Sequence, residues 1–269
     1  MRRPSALSIA GLDPSGGAGF TADLRAFQAA GVWGCAVCAV VTVQSTAGLR
    51  SAHPLAPTLV TAQAEEVLAN GTVRALKTGA LGSAENVRAV AALLRAHPKL
   101  PAIVDPVMIA TRAPGGARLL DGDALEAMRE LCAHATLVTP NVDEAEALTE
   151  GRVRDRHDQR EAAAAIVGLG ARAALVKGGH LEDDPEAADV LVVGHRSFVL
   201  RARRLEVAPF HGGGCTLAAL VAGRLAASSA RPGDSEALVA ATRWAKRRLG
   251  AAIGRAERVG RGLLVLDVS

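Results

Sequence analysis

The run His211-Gly212-Gly213-Gly214-Cys215-Thr216 places a thiol directly after three glycines and before an Ala- and Leu-rich stretch of helical character. Glycines let backbone N–H groups turn inward, and a helix start adds partial positive charge, so the segment can cradle an anion. A thiol at a helix amino terminus has its pKa lowered, which would fit Cys215 to take a proton from an attacking hydroxyl. Gly212, Gly213 and Gly214 would then stabilise the charge that develops. A glycine-rich turn carrying a buried, inert cysteine is the other reading of these residues.

Four more residues stand where α/β proteins bind ligands, at or just after strand-like runs: Asp105, Asn141, Glu144 and Lys177. Carboxylates and an amide there can hold Mg²⁺ directly or through water, and a lysine can neutralise phosphate charge. Each also has a plainer reading, helix capping for Asn141 and Glu144 and a solvated turn for Lys177; it is their joint appearance that points to chemistry. Gln44 ends an apolar run, where its amide could pair with a heterocycle edge or simply face solvent. The loop Gly11 to Gly19 is glycine-rich but matches neither a Walker loop nor G-x-G-x-x-G, so a tight turn capped by Asp13 or Ser15 accounts for it equally well. Cys35 and Cys38 would point to opposite faces of a strand and read as packing residues, and His180 equally as a solvent-facing side chain.

These residues need elements to position them. The apolar patterning predicts strands at 7–10, 37–43, 73–77, 102–107, 136–139 and 173–177, and a hairpin pairing 190–193 with 198–200. Helical spacing covers 22–30, 58–68, 86–96, 123–132, 143–148, 160–169, 216–227 and 235–253. Strands alternating with helices of this length imply an α/β fold, a mostly parallel central sheet with helices on both faces. No linker or repeat interrupts it, so residues 1–269 read as a single domain.

Composition narrows the function. With 49% hydrophobic and 22% charged residues the chain has a globular balance, but with no Tyr, four Phe and two Trp it lacks the aromatics that stack nucleic-acid bases. A net charge of +4 fits a phosphate-rich small ligand as well as DNA, so no nucleic-acid partner is expected. Four cysteines without paired knuckles indicate neither disulfides nor a zinc ribbon, and with no apolar run of membrane length or signal-peptide pattern the expected location is the cytoplasm.

Read together, the motifs resemble the hydroxymethylpyrimidine/phosphomethylpyrimidine kinases of thiamine biosynthesis, within the ribokinase-like superfamily. The likeness rests on Ala10 to Gly19 with Ala22-Asp23-Leu24, Gln44-Ser45-Thr46, Lys77-Thr78-Gly79, Val104 to Met108, Thr139-Pro140-Asn141 with Glu144-Ala145, Val176 to His180, and Gly214-Cys215-Thr216. The resemblance implies a three-layer ribokinase-like fold, a homodimer, and transfer of the ATP γ-phosphoryl to a hydroxymethylpyrimidine and then to its monophosphate. It implies that Gln44 hydrogen-bonds the aminopyrimidine and that Gly11, Asp23 and Val107 bind the same substrate. Asp105, Asn141 and Lys177 would serve ATP, Glu144 and Asp105 would serve Mg²⁺, Gly212 to Gly214 would form the anion hole, and Cys215 would be the base. Departures fall near the chemistry: the family usually reads Asn-Thr-His-Gly-Thr-Gly-Cys where this chain has Pro209-Phe210-His211-Gly212-Gly213-Gly214-Cys215. Ala80 stands where methionine is common, which implies a wider pocket, and the loop 111–118 looks longer than usual. The rival expectations are a pyridoxal or pyridoxine kinase and a non-catalytic pyrimidine-binding relative.

Overall fold

Successive strand residues bury themselves in opposite cores, and that alternation sets the layering. Ala173 and Leu175 join one hydrophobic cluster and Ala174 and Val176 the other, as Ile103 does against Ala102 and Val104. A sheet apolar on both faces must be covered on both. The computed structural model, which describes residues 3–108, 123–179, 186–231 and 233–269, shows that three-layer arrangement.

The strands are β1 (Ser5–Leu12), β2 (Trp33–Ser45), β3 (Gly48–Pro54), β4 (Val73–Thr78), β5 (Ala102–Val104), β6 (Leu137–Val138), β7 (Ala173–Val176), β8 (Asp189–Val193), β9 (Arg196–Leu200), β10 (Phe210–His211), β11 (Glu257–Arg258) and β12 (Leu264–Val265). The helices are α1 (Gly19–Ala29), α2 (Pro57–Ala69), α3 (Ala84–Ala96), α4 (Ala124–Ala133), α5 (Val142–Thr149), α6 (Arg156–Gly168), α7 (Gly213–Ala227) and α8 (Ser235–Gly254). The first nine strands form one sheet in the order β3-β2-β1-β4-β5-β6-β7-β8-β9. From β2 to β7 neighbours are parallel; β3, β8 and β9 close the two edges antiparallel. Helices α1, α7 and α8 cover one face through Phe27, Leu217, Leu220 and Leu238. The other face takes α2 to α6 through Val60, Val90, Met128, Leu148 and Ile166.

The predicted alternation and the β8–β9 hairpin are present, but several boundaries move. The strand expected over 102–107 ends at Val104: Asp105 still donates to Thr78 O, but Pro106 has no N–H with which to continue the ladder. Helix α7 begins at Gly213, three residues before the predicted start, which puts Gly213, Gly214 and Cys215 inside its first turn. Strand β3 and the small sheet β10-β12-β11 were not anticipated. The loop 111–118 and His180 lie outside the described residues.

Candidate active site

Parallel strands bring their carboxyl ends to one side. Backbone bonds continue past the strands, from Asp105 N to Thr78 O at 3.1 Å, from Thr139 N to Val104 O at 2.9 Å and from Lys177 N to Pro140 O at 2.9 Å. Asp105, Asn141 and Lys177 therefore emerge side by side. They border a cavity of about 450 Å³ that Gly11, Gln44, Val107, Glu144, Gly212, Gly213, Gly214 and Cys215 also line. Ala80 is part of the same wall.

Charge is unevenly balanced at the centre of this cavity. Lys177 Nζ donates to Asp105 Oδ1 at 3.1 Å and lies 4.0 Å from Glu144 Oε2, so one ammonium faces two carboxylates. Thr139 Oγ1 donates to Asp105 Oδ1 at 3.2 Å. Glu144 and Asn141 form a reciprocal cap on α5: Asn141 N donates to Glu144 Oε2 and Glu144 N to Asn141 Oδ1, both at 2.8 Å. Burial pushes the Glu144 carboxyl up to about 7, helped by nearby Asp105 and opposed by Lys177. Lys177 is itself held above its ordinary value, since Asp105 and Glu144 outweigh its burial.

Opposite this cluster stands the start of α7. The N–H groups of its first turn have no carbonyl four residues back within the helix, so those of Gly213, Gly214 and Cys215 are open to a ligand. Glycine is required by contact: Gly212 has φ +83°, and a Cβ there would lie 1.9 Å from Gly17 O. At Gly214 a Cβ would sit 3.0 Å from Lys177 Nζ. The glycines thus let the helix terminus close onto the lysine.

Two expectations need correction. Asp23 does not reach the cavity: its carboxylate is fully buried beneath it, accepting from Ser8 Oγ at 2.6 Å and from Lys77 Nζ at 2.8 and 3.0 Å. Burial alone would discharge Lys77, but the adjacent Asp23 carboxylate holds it as an ammonium with its pKa raised. Cys215 was expected to have an acidified thiol. Instead burial, together with Asp105 and Asp23, pushes it up to about 12 against the opposing pull of Lys77, so the thiol keeps its proton at neutral pH.

The loop between β1 and α1 is organised by Asp13, the residue expected to cap it. Its carboxylate accepts from Ser15 N at 2.8 Å, Ser15 Oγ at 2.7 Å and Ala18 N at 2.8 Å. Burial works against the charge, but bonds from His211 and Ser15 hold the carboxyl below its usual value. His211 Nε2 lies 3.1 Å from Asp13 Oδ2 and 2.8 Å from Gln44 Nε2, tying the loop, β2 and β10 together. One ring nitrogen cannot donate to Asp13 and accept from Gln44 at once, so with His211 bonded to Asp13 the Gln44 amide only rests against the ring on the cavity wall.

Sequence reasoning missed several wall residues. Lys246 donates to Asp189 Oδ2 at 2.6 Å on one side of the cavity, and both residues come from elements whose charged positions look solvent-facing in a linear reading. The carboxy-terminal segment also contributes: Leu263 lines the cavity, and its N–H donates to Thr46 O at 2.8 Å. Lys77 was singled out only as part of the motif Lys77-Thr78-Gly79, with no role given to it, although a lysine in an apolar strand calls for a buried partner.

Residues 13–267 match the phosphomethylpyrimidine kinase family. A hydroxymethylpyrimidine/phosphomethylpyrimidine kinase of Streptomyces coelicolor is 43% identical over 230 residues, covering 85% of this chain and 83% of that relative. Among solved structures, the phosphomethylpyrimidine kinase of Clostridium difficile 630 is similar with a TM-score of 0.76 and 32% identity, over 91% of this chain and 99% of that one. The pyridoxal kinase of Staphylococcus aureus in complex with AMP-PCP and pyridoxal gives a TM-score of 0.87 at 28% identity, over 100% of this chain and 94% of that one.

Proposed function

The chain belongs to the phosphomethylpyrimidine kinase family and is an ATP-dependent phosphotransferase, and we propose how its cavity divides the work on 4-amino-5-hydroxymethyl-2-methylpyrimidine and its monophosphate. The observation that carries the reading is Lys177 facing Asp105 and Glu144 across from the open first turn of α7. Phosphoryl transfer asks little covalent chemistry of a protein; it asks for positioning and for positive charge around the moving group. Lys177 and the N–H groups of Gly213, Gly214 and Cys215 supply that charge, while Asp105 and Asn141 orient the nucleotide. Gln44, Gly11 and Val107 hold the pyrimidine.

Magnesium fits this donor set. The surplus of carboxylate over ammonium, expressed in the raised Glu144, is what a divalent cation would neutralise, and Mg²⁺ uses one or two carboxylates while keeping several waters. Asp105 and Glu144 would hold it, and it would supply charge neutralisation for the phosphates. In this reading Cys215, on the cavity wall, takes the proton of the substrate hydroxyl; because its thiol is protonated at neutral pH, a base role requires turnover that climbs with pH.

A homodimer, a cytoplasmic location and a single domain complete the proposal. The dimer reading draws on Val41 and Val43, which stand exposed on β2 beside the edge strand β3. Pyridoxal is the competing substrate, favoured by the TM-score of 0.87 to the Staphylococcus aureus enzyme. Turnover of the hydroxymethylpyrimidine and of pyridoxal, measured side by side as ADP released with Mg-ATP, decides between them. We expect a preference for the pyrimidine of at least tenfold in kcat/KM. Preference for pyridoxal would overturn the assignment.

A further inference from the structure

The amino ends of the same strands border a second, larger cavity of about 890 Å³, on the side of the sheet away from Asp105 and Lys177. We propose that this groove binds a small di- or triphosphate ligand, at a site separate from the phosphotransfer site. Its volume is within the roughly 300–1,000 Å³ usual for small-molecule pockets. Four cations line it: Arg74 at the start of β4, Lys99 before β5, Arg172 before β7, and Arg231 between α7 and α8. The one acid lining it among the described residues, Asp234, has an oxygen occupied in capping α8, accepting from Glu236 N and Ala237 N at 3.0 Å each.

The groove's cations are not neutralised by carboxylates around it. Among the described residues, Arg74, Lys99 and Arg231 meet none. Arg172 donates only to a backbone carbonyl, that of Gly233, at 3.0 Å. Like charges lining one concave surface raise the local counter-ion concentration, and guanidinium groups match phosphate oxygens in fork geometry. A ligand carrying several adjacent negative charges answers that arrangement better than a single carboxylate does. Val73 and Leu225 give the groove apolar wall for an organic portion.

Helices α7 and α8 run between the two cavities: the end of α7 and the start of α8 line the groove, while Cys215 and Ile253 line the phosphotransfer site. The proposal does not depend on the substrate of that site. Its test is calorimetric titration of the whole protein with inorganic tripolyphosphate, comparing the wild type, the exposed-residue triple variant Arg74→Ser, Arg172→Ser, Arg231→Ser, and Lys177→Ala. The wild type should bind tripolyphosphate in the groove, the triple variant should lose at least tenfold in that affinity with basal kinase turnover within twofold, and Lys177→Ala should retain it. Unchanged affinity in the triple variant, or loss confined to Lys177→Ala, would overturn the proposal. Titration with ADP in Lys177→Ala then separates an organic from an inorganic source: tighter binding than tripolyphosphate, lost in the triple variant with Lys177→Ala, assigns the groove to a nucleotide-like ligand, and weaker binding to inorganic polyphosphate.

Discussion

Two lysine–aspartate pairs lie close together at the carboxyl end of the sheet, and they are built differently. Lys77 and Asp23 are both wholly buried, with bonds of 2.8 and 3.0 Å to the two carboxylate oxygens and a third partner in Ser8. Lys177 keeps 15% of its side chain exposed, makes one bond of 3.1 Å to Asp105, and shares itself with Glu144. The first pair is closed, with its charges answered inside the protein. The second is open and leaves negative charge over. A closed pair holds α1 against β1 and β4 and sets the field under Cys215; an open pair can change partners when a phosphate arrives.

The largest expected effect falls on the closed pair. Lys77→Met strands the Asp23 carboxylate in the interior, which should cost about 3–5 kcal/mol in urea unfolding, and adding Asp23→Leu should restore most of it. No recovery in the double variant would mean that the fold depends on the charges themselves. Cys215→Ala should lower kcat by about 10²–10⁴, the scale of a lost general base, while pyrimidine affinity holds. Near-normal turnover would remove Cys215 from the chemistry. Since burial holds its proton, iodoacetamide should label Cys215 slowly at pH 7 and faster as pH rises, and more slowly still in the Asp23→Leu, Lys77→Met background, where the ammonium beneath it is gone.

The smallest effect concerns Glu144. Its folded carboxyl titrates near 7 against an ordinary 4.5, so the folded state binds that proton more tightly than the unfolded chain. The stability it contributes is complete below pH 4.5 and is lost as pH rises through about 7. In chelator and without nucleotide, Glu144→Gln should flatten the decline in unfolding free energy across that window. Parallel curves for the two proteins would show that Glu144 is not the titrating group.

Much of this was legible in the sequence, for identifiable reasons. Continuous apolar runs such as Ala173 to Val176, bounded by helical spacing, specify buried parallel strands without ambiguity, and Asp105, Asn141 and Lys177 then fall at strand ends by construction. Strand β3 was invisible because Gly-Leu-Arg-Ser-Ala-His-Pro has neither alternation nor β-branched residues; only pairing with β2 makes it a strand. Asp23 was misplaced because a motif gives neighbours in sequence, whereas a helix turns successive residues through about 100° and aimed this one at the sheet. The Cys215 thiol was misjudged for a similar reason: the helix terminus was readable, but the depth of burial and the carboxylates around it come from three other elements.

The contrast between the two pairs is tested most directly by kcat per folded molecule on 4-amino-5-hydroxymethyl-2-methylpyrimidine with Mg-ATP, in Lys177→Ala and in Lys77→Met with Asp23→Leu. Lys177→Ala should keep its stability better than Lys77→Met and lose about 10²–10³ in kcat, the usual cost of one lost charge-stabilising group in the transition state. The double variant should keep kcat within about tenfold of the wild type. Equal losses in the two proteins, or turnover that survives Lys177→Ala, would contradict the separation of a closed structural pair from an open working one.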